Sequence, residues 1–353
     1  MPVRSLLSIE AIADHENLCL ALLAASRSKR HRTDQQAFVA DGDRNLAELR
    51  QRILDGTVPV GRGSTFVIHD PKRRTIHAPV FAERVLHHAV MRPLGPILDR
   101  RLIHHSYACR LGKGQRAALE HATACARRCA WYLQLDVRSY FASIPHATLL
   151  DRLRRILAGD AALHLLERII RAHTDAPGRG LPIGALTSQH LANVYLDPCD
   201  RCATEHGHCG GYVRYMDDLV VWDDDRERLG RIHADLSATA AGLGLTFKPA
   251  RLNRSAHGLS FLGWRIFPAV RRLDRRGRQR LTRRWAWIDA AWASGAITET
   301  SAQERMQACI AWADHGDTRA LRRRLMQTAC HRIEPDDIPA GWRPLAPRPV
   351  PTA

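Results

Sequence analysis

The chain has 353 residues, of which 45% are hydrophobic and 25% are charged, and its formal net charge is +17 at pH 7. A chain of this length can bury a sizeable core in two or three lobes, and the lack of an internal repeat argues against a solenoid. The positive charge favours a polyanionic partner such as nucleic acid, with a merely basic surface as the alternative. No apolar run approaches the roughly 18 residues of a membrane span, so no membrane partner is predicted. Nine cysteines without a secretion signal indicate reduced thiols in a cytoplasm.

The N-terminal part of the chain predicts helices followed by a charged hairpin. Residues 1–60 have helical apolar spacing, and the basic cluster at 27–32 is either a phosphate-binding arm or a solvated loop. Two strand-like runs within 66–76 enclose a turn with Lys72 and Arg74. Cations at such a turn either clamp a triphosphate or decorate the surface.

Two segments place carboxylates beside apolar strands. Asp136 lies at the end of the predicted strand 131–137, and Asp217 and Asp218 lie at the predicted tip of a hairpin over 212–222. Adjacent carboxylates repel each other, and an acid at the end of an apolar strand is costly to bury unless it is paired or metal-bound. The three acids therefore predict a cation site, with an ordinary Asp-rich turn as the alternative.

Apolar periodicity predicts most of the remaining elements. Helices are expected at about 83–98, 115–129, 147–157, 161–173, 188–205, 229–243, 301–313 and 317–331, and a second hairpin is expected at 258–267. Ser301 and Glu304 form a predicted capping box at the start of one of these helices. The cluster Cys199, Cys202, His206 and Cys209 allows either a zinc site or small apolar thiols with loop histidines.

The C-terminal region is strongly basic. Eight arginines between positions 271 and 284 lead into a helical pattern, and this stretch is the best candidate in the chain for contact with nucleic acid. The tryptophans that follow, Trp285, Trp287 and Trp292, are predicted to be core residues rather than base-stacking groups. The proline-rich segment 341–353 predicts an extended or disordered tail.

The order of these elements is the layout of a polymerase palm: a strand with an acid, helices, a turn bent by glycine and proline, and an acidic hairpin. In that chemistry two divalent ions about 3.5–4 Å apart activate the attacking 3′-hydroxyl and steady the leaving pyrophosphate. Hard oxygen ligands suit two Mg²⁺ ions, with Mn²⁺ as a substitute, so carboxylates are expected to supply the site rather than His or Cys.

Several motifs in this order resemble those of a reverse transcriptase, over roughly residues 60–270. The segments that carry the resemblance are Leu135-Asp136, Tyr140-Phe141, Tyr215-Met216-Asp217-Asp218, Lys248 and Phe261-Leu262-Gly263. The first two match the family's first carboxylate motif, and the third matches its catalytic box. Lys248 stands where the family places a general acid for pyrophosphate, and the last segment looks like the primer grip.

One segment departs from the commonest reverse transcriptase pattern. Most members carry Gln-Gly followed by Ser-Pro, where this chain has Ile183-Gly184 and Ser188-Gln189. The departure is similar to the reverse transcriptases of diversity-generating retroelements, as are the segments 106–110 and 263–268. Those enzymes copy a template RNA into cDNA with frequent errors opposite adenine, and the cDNA diversifies a target gene.

The resemblance implies a role for each matching residue. The residues that correspond to the family's metal ligands are Asp136, Asp217, Asp218 and, through its backbone oxygen, Val137. The three acids are also catalytic residues, together with Lys248 as the general acid. The residues implied to bind the nucleotide are Lys72, Arg74, Phe141, Ile183, Gly184 and Gln189. The residues implied to bind primer and template are Tyr215, Met216, Phe261, Leu262, Gly263, Arg280, Arg283 and Arg284. Phe141 stands at the family's sugar gate, where its ring would clash with a 2′-hydroxyl, and ordinary core packing is the alternative.

The expected fold class is α+β, a right-hand polymerase with fingers at 1–130, a palm with an antiparallel sheet at 131–268 and an α-helical thumb at 269–340. The expected partners are template RNA, a cDNA primer or product, deoxynucleoside triphosphates and a small basic accessory protein, in a bacterial or phage-encoded cytoplasmic system. The chain is expected to be too short for the extra regions of a group II intron protein. The alternatives are a retron-like or phage-defence reverse transcriptase and a non-catalytic RNA-binding protein.

Overall fold

A computed structural model describes residues 4–27, 32–69, 73–172 and 176–328, which form an α+β protein. The helices are α1 (Ile9–Ala13), α2 (His15–Ser26), α3 (Thr33–Ala40), α4 (Gly42–Leu54), α5 (Phe81–Asp99), α6 (Gln115–Arg128), α7 (Tyr140–Ser143), α8 (His146–Ile156), α9 (Asp160–Arg171), α10 (Leu186–Tyr195), α11 (Asp197–Arg201), α12 (Arg226–Gly242), α13 (Arg275–Ala293), α14 (Glu299–Ala313) and α15 (Arg319–Thr328). The strands are β1 (Ser5–Leu6), β2 (Gly63–Ile68), β3 (Arg74–Pro79), β4 (Trp131–Asp136), β5 (Leu157–Ala158), β6 (Gly211–Tyr215), β7 (Asp218–Asp223), β8 (Arg251–Arg254), β9 (Leu259–Phe261), β10 (Trp264–Ile266) and β11 (Arg271–Leu273).

Within the described ranges, these strands form small sheets. The largest has the strand order β6-β7-β4-β8, and a second has the order β11-β10-β9. The β2–β3 hairpin is antiparallel from the pair Gly63↔Pro79 to the pair Ile68↔Arg74, and β1 pairs with β5 in parallel. Each of the three predicted hairpins corresponds to a pair of consecutive, neighbouring strands.

The strands beside the acidic turn are buried because their residues are apolar on both faces. Leu219, Val220 and Val221 follow one another on β7, and none of the three exposes any measurable surface. A strand that is covered on both faces has a continuous apolar run rather than an alternating one. The polar residues at the end of such a strand therefore stand out as candidates for function.

The chain divides into two compact units. The first consists of residues 1–114, 133–221 and 225–251, and the second consists of residues 115–132, 222–224 and 252–353. The helices at the start of the chain, the β2–β3 hairpin and the helices from α7 to α12 belong to the first unit. The division into fingers, palm and thumb stays a prediction.

The helix predicted over 188–205 is wrong as a continuous element. Helix α10 ends at Tyr195, α11 begins at Asp197, and a π-helical turn follows over Cys202–His206. Pro198 explains the break, because it has no amide hydrogen and its ring excludes the carbonyl group of the preceding helical turn. The other helices predicted after residue 80 are present with ends shifted by a few residues, up to the last described residue, 328.

The second unit has its own apolar core between α13 and α14. Trp285 and Trp287 are buried there, as predicted, whereas Trp292 is 50% exposed and is not a core residue. The predicted capping box is also wrong, because α14 begins before Ser301. The hydroxyl group of Thr298 caps that helix by accepting a hydrogen bond from the Ser301 amide at 3.3 Å.

Among the helices in the described part of the chain, none has both the length and the apolar character that a bilayer span requires.

Candidate active site

The acidic turn between β6 and β7 has a constrained backbone. Met216 has a φ of 55°, in the left-handed region, which costs a non-glycine residue on the order of 1 kcal/mol. The carbonyl oxygen of Asp217 accepts a hydrogen bond from the Val137 amide at 3.2 Å. The turn is therefore attached to the end of β4, where Asp136 lies.

A second backbone contact places Lys248 beside Asp136. The Lys248 amide donates to the Asp136 carbonyl oxygen at 2.8 Å, and the Arg138 amide donates to the Thr246 carbonyl oxygen at 2.8 Å. The short antiparallel bridge between Val137 and Phe247 lies between these two hydrogen bonds. As a result, the Lys248 ammonium nitrogen Nζ lies 2.5 Å from Asp136 Oδ1. This contact between side chains 112 residues apart brings two predicted catalytic residues together.

The electrostatics of the turn reflect burial and the proximity of like charges. Burial raises the pKa of Asp218 to about 7; a hydrogen bond from Gln134 Nε2, at 3.0 Å, opposes this rise, and the charges of Asp136 and Asp217 add to it. Burial also raises the pKa of Asp217, and Asp136 adds to that rise, whereas Lys248 and Arg74 lower it. The three carboxylates and Lys248 therefore interact as one charged group.

These residues match a hard divalent cation in chemical type. Carboxylate oxygens are the ligands that Mg²⁺ prefers, and a cation would offset the burial and the repulsion that together raise the pKa values of Asp217 and Asp218. In this structure the ammonium group of Lys248 supplies positive charge at Asp136. Across the described residues, no group of three or more His, Cys, Asp or Glu side chains is arranged as a metal site.

We expect Asp218→Asn to stabilise the metal-free protein at alkaline pH. Because the pKa of Asp218 is about 7 when folded and 3.8 ordinarily, the folded protein retains a proton that the unfolded chain releases. Stability is therefore lost as the pH rises between these two values, and the loss is complete above the higher one. Melting curves in EDTA should show a Tm for the Asn variant that is a few degrees higher at pH 8, with a smaller difference at pH 5. Equal Tm values at pH 8 would contradict this, and Asp235→Asn on α12 is the exposed control.

The loop at 183–184 lies against the β2–β3 hairpin. The His77 amide donates to the Ile183 carbonyl oxygen at 2.8 Å. Gly184 has a φ of +120°, and a Cβ atom at this position would lie 2.3 Å from the His77 carbonyl oxygen. Only glycine fits this approach. Arg74 is exposed at the start of the same strand, β3, and its charge acts on Asp217, so the hairpin brings Arg74 near the acidic turn.

Two other residues predicted to contact the nucleotide are partly buried. The ring of Phe141 makes an edge-to-face contact with Tyr140 at 5.7 Å between centroids, and the Phe141 carbonyl oxygen accepts a hydrogen bond from the Leu181 amide. Gln189 Oε1 accepts a hydrogen bond from the Cys109 thiol at 3.3 Å. Lys72 lies outside the described residues.

The family model for reverse transcriptases, or RNA-dependent DNA polymerases, matches residues 69–266, more than half of the chain. This span contains the three carboxylates and Lys248. The chain belongs to the reverse transcriptase family. The family's catalytic acids are thus expected among Asp136, Asp217 and Asp218, the acids that the fold brings together.

Curated relatives of this reverse transcriptase are distant. Protein YkfC of Escherichia coli is 27% identical over 190 residues, which are 51% of this chain and 47% of that protein. A putative COX1/OXI3 intron 2 protein of Saccharomyces cerevisiae is 23% identical over 34% of this chain and 15% of that protein. An uncharacterized 91 kDa protein in a cob intron of Schizosaccharomyces pombe is 28% identical over 27% of this chain and 12% of that protein. The matched region thus spans less than half the length of each of these relatives.

Among solved structures, a telomerase from Candida albicans in complex with a TWJ fragment of telomeric RNA is similar. The TM-score is 0.45 with 11% sequence identity, and the similarity covers 75% of this chain and 55% of that chain. At this TM-score the likeness adds nothing to the family assignment.

In the second unit of this reverse transcriptase, the predicted primer grip forms the turn between β9 and β10. Leu262 and Gly263 both have positive φ, of 51° and 82°, which is the backbone of a tight hairpin turn. Gln115 Nε2 donates to the Leu262 carbonyl oxygen at 2.8 Å. The Phe261 side chain is 1% exposed, so Leu262 and Gly263 are the accessible part of the segment.

The arginines of α13 lie on more than one face of the helix. A cleft of about 710 Å³ between α13 and α15 is lined by residues that include Arg278, Arg283 and Arg324. Arg280 and Arg284 are exposed on α13 and are not among the residues that line this cleft. Of the three arginines predicted to contact primer or template, Arg283 is therefore the one at the cleft.

The zinc hypothesis gains no support from the cysteine cluster. Cys199 and Cys202 are both buried, and burial raises the pKa of the Cys199 thiol to about 12. A thiol must lose its proton to bind zinc, and this environment opposes that loss. In the described part of the chain, which includes this cluster, no metal-binding group is formed.

Sequence reasoning missed the polar residues beneath the acidic turn. Arg214, Asp200 and Asn193 are all buried, and none of them was predicted to act in the site. One signal was present, because Arg214 interrupts an apolar strand run at a position where an unpaired charge would be costly.

Proposed function

We propose that the chain is an RNA-directed DNA polymerase that makes error-prone, adenine-mutagenic cDNA for gene diversification. The observation that carries the polymerase assignment is the convergence of Asp136, Asp217 and Lys248 within the region that matches the reverse transcriptase family. The diversity-generating type is supported by Ile183 and Gln189, which depart from the commoner pattern of the family.

The proposed reaction is nucleotidyl transfer from a deoxynucleoside triphosphate to the 3′-end of a cDNA primer. Asp136, Asp217, Asp218 and the backbone oxygen of Val137 would hold two Mg²⁺ ions. When bound, these ions supply the charge that activates the attacking hydroxyl and stabilises the leaving pyrophosphate. Lys248, whose Nζ lies 2.5 Å from Asp136 Oδ1, would act as the general acid for the leaving pyrophosphate.

The nucleotide is proposed to lie against the β2–β3 hairpin and the loop at 183–184. Arg74, with Lys72, would bind the triphosphate, where a guanidinium offers paired donors to the oxygens. Phe141 would exclude a 2′-hydroxyl. Tyr215 and Met216 would contact the primer end, and Leu262, Gly263 and Arg283 of the second unit would contact primer or template.

Ile183 offers a physical reason for infidelity. A glutamine at this position would hydrogen-bond and orient the incoming nucleotide, whereas the Ile183 side chain contributes only dispersion and shape. With less polar constraint, the difference in free energy between right and wrong base pairs is smaller.

We expect Ile183→Gln to lower misincorporation opposite adenine by about 10-fold, because one added polar contact should change the free-energy difference between right and wrong base pairs by about 1.4 kcal/mol. The measurement is single-nucleotide primer extension on RNA templates with adenine, or another base, at the test position. Unchanged errors opposite adenine would contradict the account. Errors opposite the other bases serve as the internal control.

The function is tested by primer extension on an RNA template with purified protein, Mg²⁺ and the four deoxynucleoside triphosphates, followed by sequencing of the cDNA. Random changes at template adenines would support the proposal, whereas faithful copies would favour the retron-like alternative. If no template and no accessory protein gave nucleotide addition, the non-catalytic RNA-binding alternative would be the better one.

The broader setting follows from the same proposal. Fingers at 1–130, palm at 131–268 and thumb at 269–340 would contact template RNA and primer, and a small basic accessory protein would assist. The system would be cytoplasmic and encoded by a bacterium or a phage.

A further inference from the structure

Arg214 lies at the centre of a buried polar network directly beneath the acidic turn. This turn, residues 215–218, is the proposed catalytic turn. Its side chain is 0% exposed, as is that of Asp200. Two hydrogen bonds join the two groups, Nε to Oδ1 at 2.6 Å and Nη2 to Oδ2 at 2.7 Å. The Tyr212 hydroxyl group also donates to Asp200 Oδ1, at 2.6 Å. The guanidinium and carboxylate planes are thereby fixed relative to each other.

Another donor of the guanidinium reaches the catalytic turn. Nη1 of Arg214 donates to the carbonyl oxygen of Met216 at 3.1 Å. Met216 is the residue with left-handed backbone, and the next residue is Asp217. Because one peptide plane joins the Met216 carbonyl to the Asp217 amide, holding that carbonyl also sets the direction in which Asp217 leaves the turn.

The same network extends to the elements proposed to contact the nucleotide. Arg214 Nη1 also donates to Asn193 Oδ1 at 2.6 Å, and Nη2 donates to the Asn193 carbonyl oxygen at 2.9 Å. Asn193 lies on α10 one helical turn after Gln189, so the two residues share a face of the helix.

The network also includes the loop at 105–109. The Asn193 amide group donates to the Ala108 carbonyl oxygen at 2.8 Å, and the Ser106 hydroxyl group donates to Asn193 Oδ1 at 3.2 Å. The backbone of Arg214 is hydrogen-bonded to the same loop through the His105 carbonyl oxygen and the Tyr107 amide, both at 3.0 Å. The loop then continues to Cys109, whose thiol donates to Gln189.

A buried ion pair of this kind fixes the relative positions of the groups around it more than it increases the free energy of unfolding. Removing two charges from water offsets most of the attraction between them, so an apolar pair of similar volume is often at least as stable. Several directed hydrogen bonds from one planar group can instead fix the relative positions of separate elements. The Asp200 carboxylate keeps the buried guanidinium charged, because it outweighs the effect of burial and raises the pKa of Arg214.

We propose that Arg214, held by Asp200, is a positioning residue that keeps the catalytic turn in register with α10 and the loop at 105–109. Arg214 acts through its hydrogen bonds to Met216 and Asn193 and does not touch the substrate. This inference rests on the proposed polymerase function for its kinetic consequence, but the positional effect itself concerns the protein alone.

The test compares Arg214→Lys with Arg201→Lys. Lysine at 214 keeps the charge beside Asp200, but a single ammonium group cannot reach Asp200, Asn193 and the Met216 carbonyl together. Arg201 on α11 is the matched control, because it also binds carboxylates and a backbone carbonyl oxygen but makes no contact with the turn. Asn193→Ala is a second variant that leaves the Arg214–Asp200 pair intact. It removes the side-chain contacts of Asn193 with Arg214 and with the loop at 105–109, whereas its backbone carbonyl oxygen can still accept from Nη2.

The first readout is hydrogen–deuterium exchange of the 353-residue protein, which needs no activity. Arg214→Lys should speed exchange at residues 215–218 and at 105–109, with α9 unchanged. Asn193→Ala should speed exchange at 105–109. The second readout is primer extension, in which Arg214→Lys should lower kcat by about 10- to 100-fold with a nearly unchanged KM for nucleotide. Arg201→Lys should neither speed exchange at these segments nor lower kcat.

The inference is overturned if Arg214→Lys and Asn193→Ala leave exchange at these segments unchanged. It is also overturned if Arg214→Lys loosens the whole first unit uniformly, which would indicate a merely structural ion pair. Failure of the proposed function would be seen differently, as an inactive wild-type protein, and the exchange measurement would still decide the role of Arg214.

Discussion

Asp217→Asn is expected to lower the rate of primer extension by at least about 1,000-fold while the protein stays folded. The substitution keeps the shape of the side chain and removes the charge that two-metal chemistry requires at this position. Because burial raises the pKa of Asp217, the neutral amide should also fit the fold at least as well as the ionised carboxylate. The measurement is incorporation of a single deoxynucleotide on an RNA template, beside a melting curve of the same preparation.

The control for this substitution is Asp235→Asn, an exposed position on α12. It removes the same charge from the same protein, so it corrects for the change in net charge and in binding to nucleic acid. Substantial activity in the Asp217→Asn variant, above about a tenth of the wild-type rate, would remove Asp217 from the proposed catalytic residues.

Gly184→Ala is expected to have the second large effect, on stability and on activity together. The added Cβ atom would lie 2.3 Å from the His77 carbonyl oxygen, and the backbone φ of +120° is itself unfavourable for alanine. Either β3 or the loop at 183–184 must move, and we expect a loss of about 2–3 kcal/mol in the free energy of unfolding. Activity should fall by more than the loss of folded protein, because the Ile183–His77 hydrogen bond and the approach to Arg74 are disturbed.

Gly178→Ala separates the collision from the backbone strain. Gly178 also has a positive φ, of 69°, but a Cβ atom there would meet no atom within 4 Å. The Gly178→Ala substitution should lower the free energy of unfolding by about 1 kcal/mol and leave the activity per folded molecule unchanged. If denaturant unfolding gave the two variants the same loss of stability, the close approach of Gly184 to β3 would be contradicted.

The sequence could mark the three acids predicted to be catalytic because their signals are local. Tyr215 to Asp218 lie in one continuous motif, and Asp136 ends an apolar strand, so each position is marked by its immediate neighbours. Helices such as α5 and α12 were also predictable, since a repeat of three to four residues in apolar side chains is a property of a single segment. The break after Tyr195 was missed, although Pro198 carried the signal for it.

The contacts that complete the site depend on distant pairings. Lys248 reaches Asp136 because a short backbone bridge joins segments that are more than 100 residues apart in the chain. The close approach of Gly184 to His77 likewise depends on where the loop meets the β2–β3 hairpin. No local pattern specifies such distances, because they are set by how whole elements pack against one another.

The sequence by itself determined the family, the three acids and the departure at Ile183 and Gln189, since residue types and their order are what it records. The tertiary structure decided that Lys248 pairs with Asp136, that Phe261 is buried while Leu262 is accessible, and that Arg214 connects the acidic turn to α10. The physical reason is that a charged residue in an apolar strand, such as Arg214, indicates only that a buried partner is needed. Which partner it finds depends on the fold, which brings Asp200, Asn193 and the Met216 carbonyl group around one guanidinium.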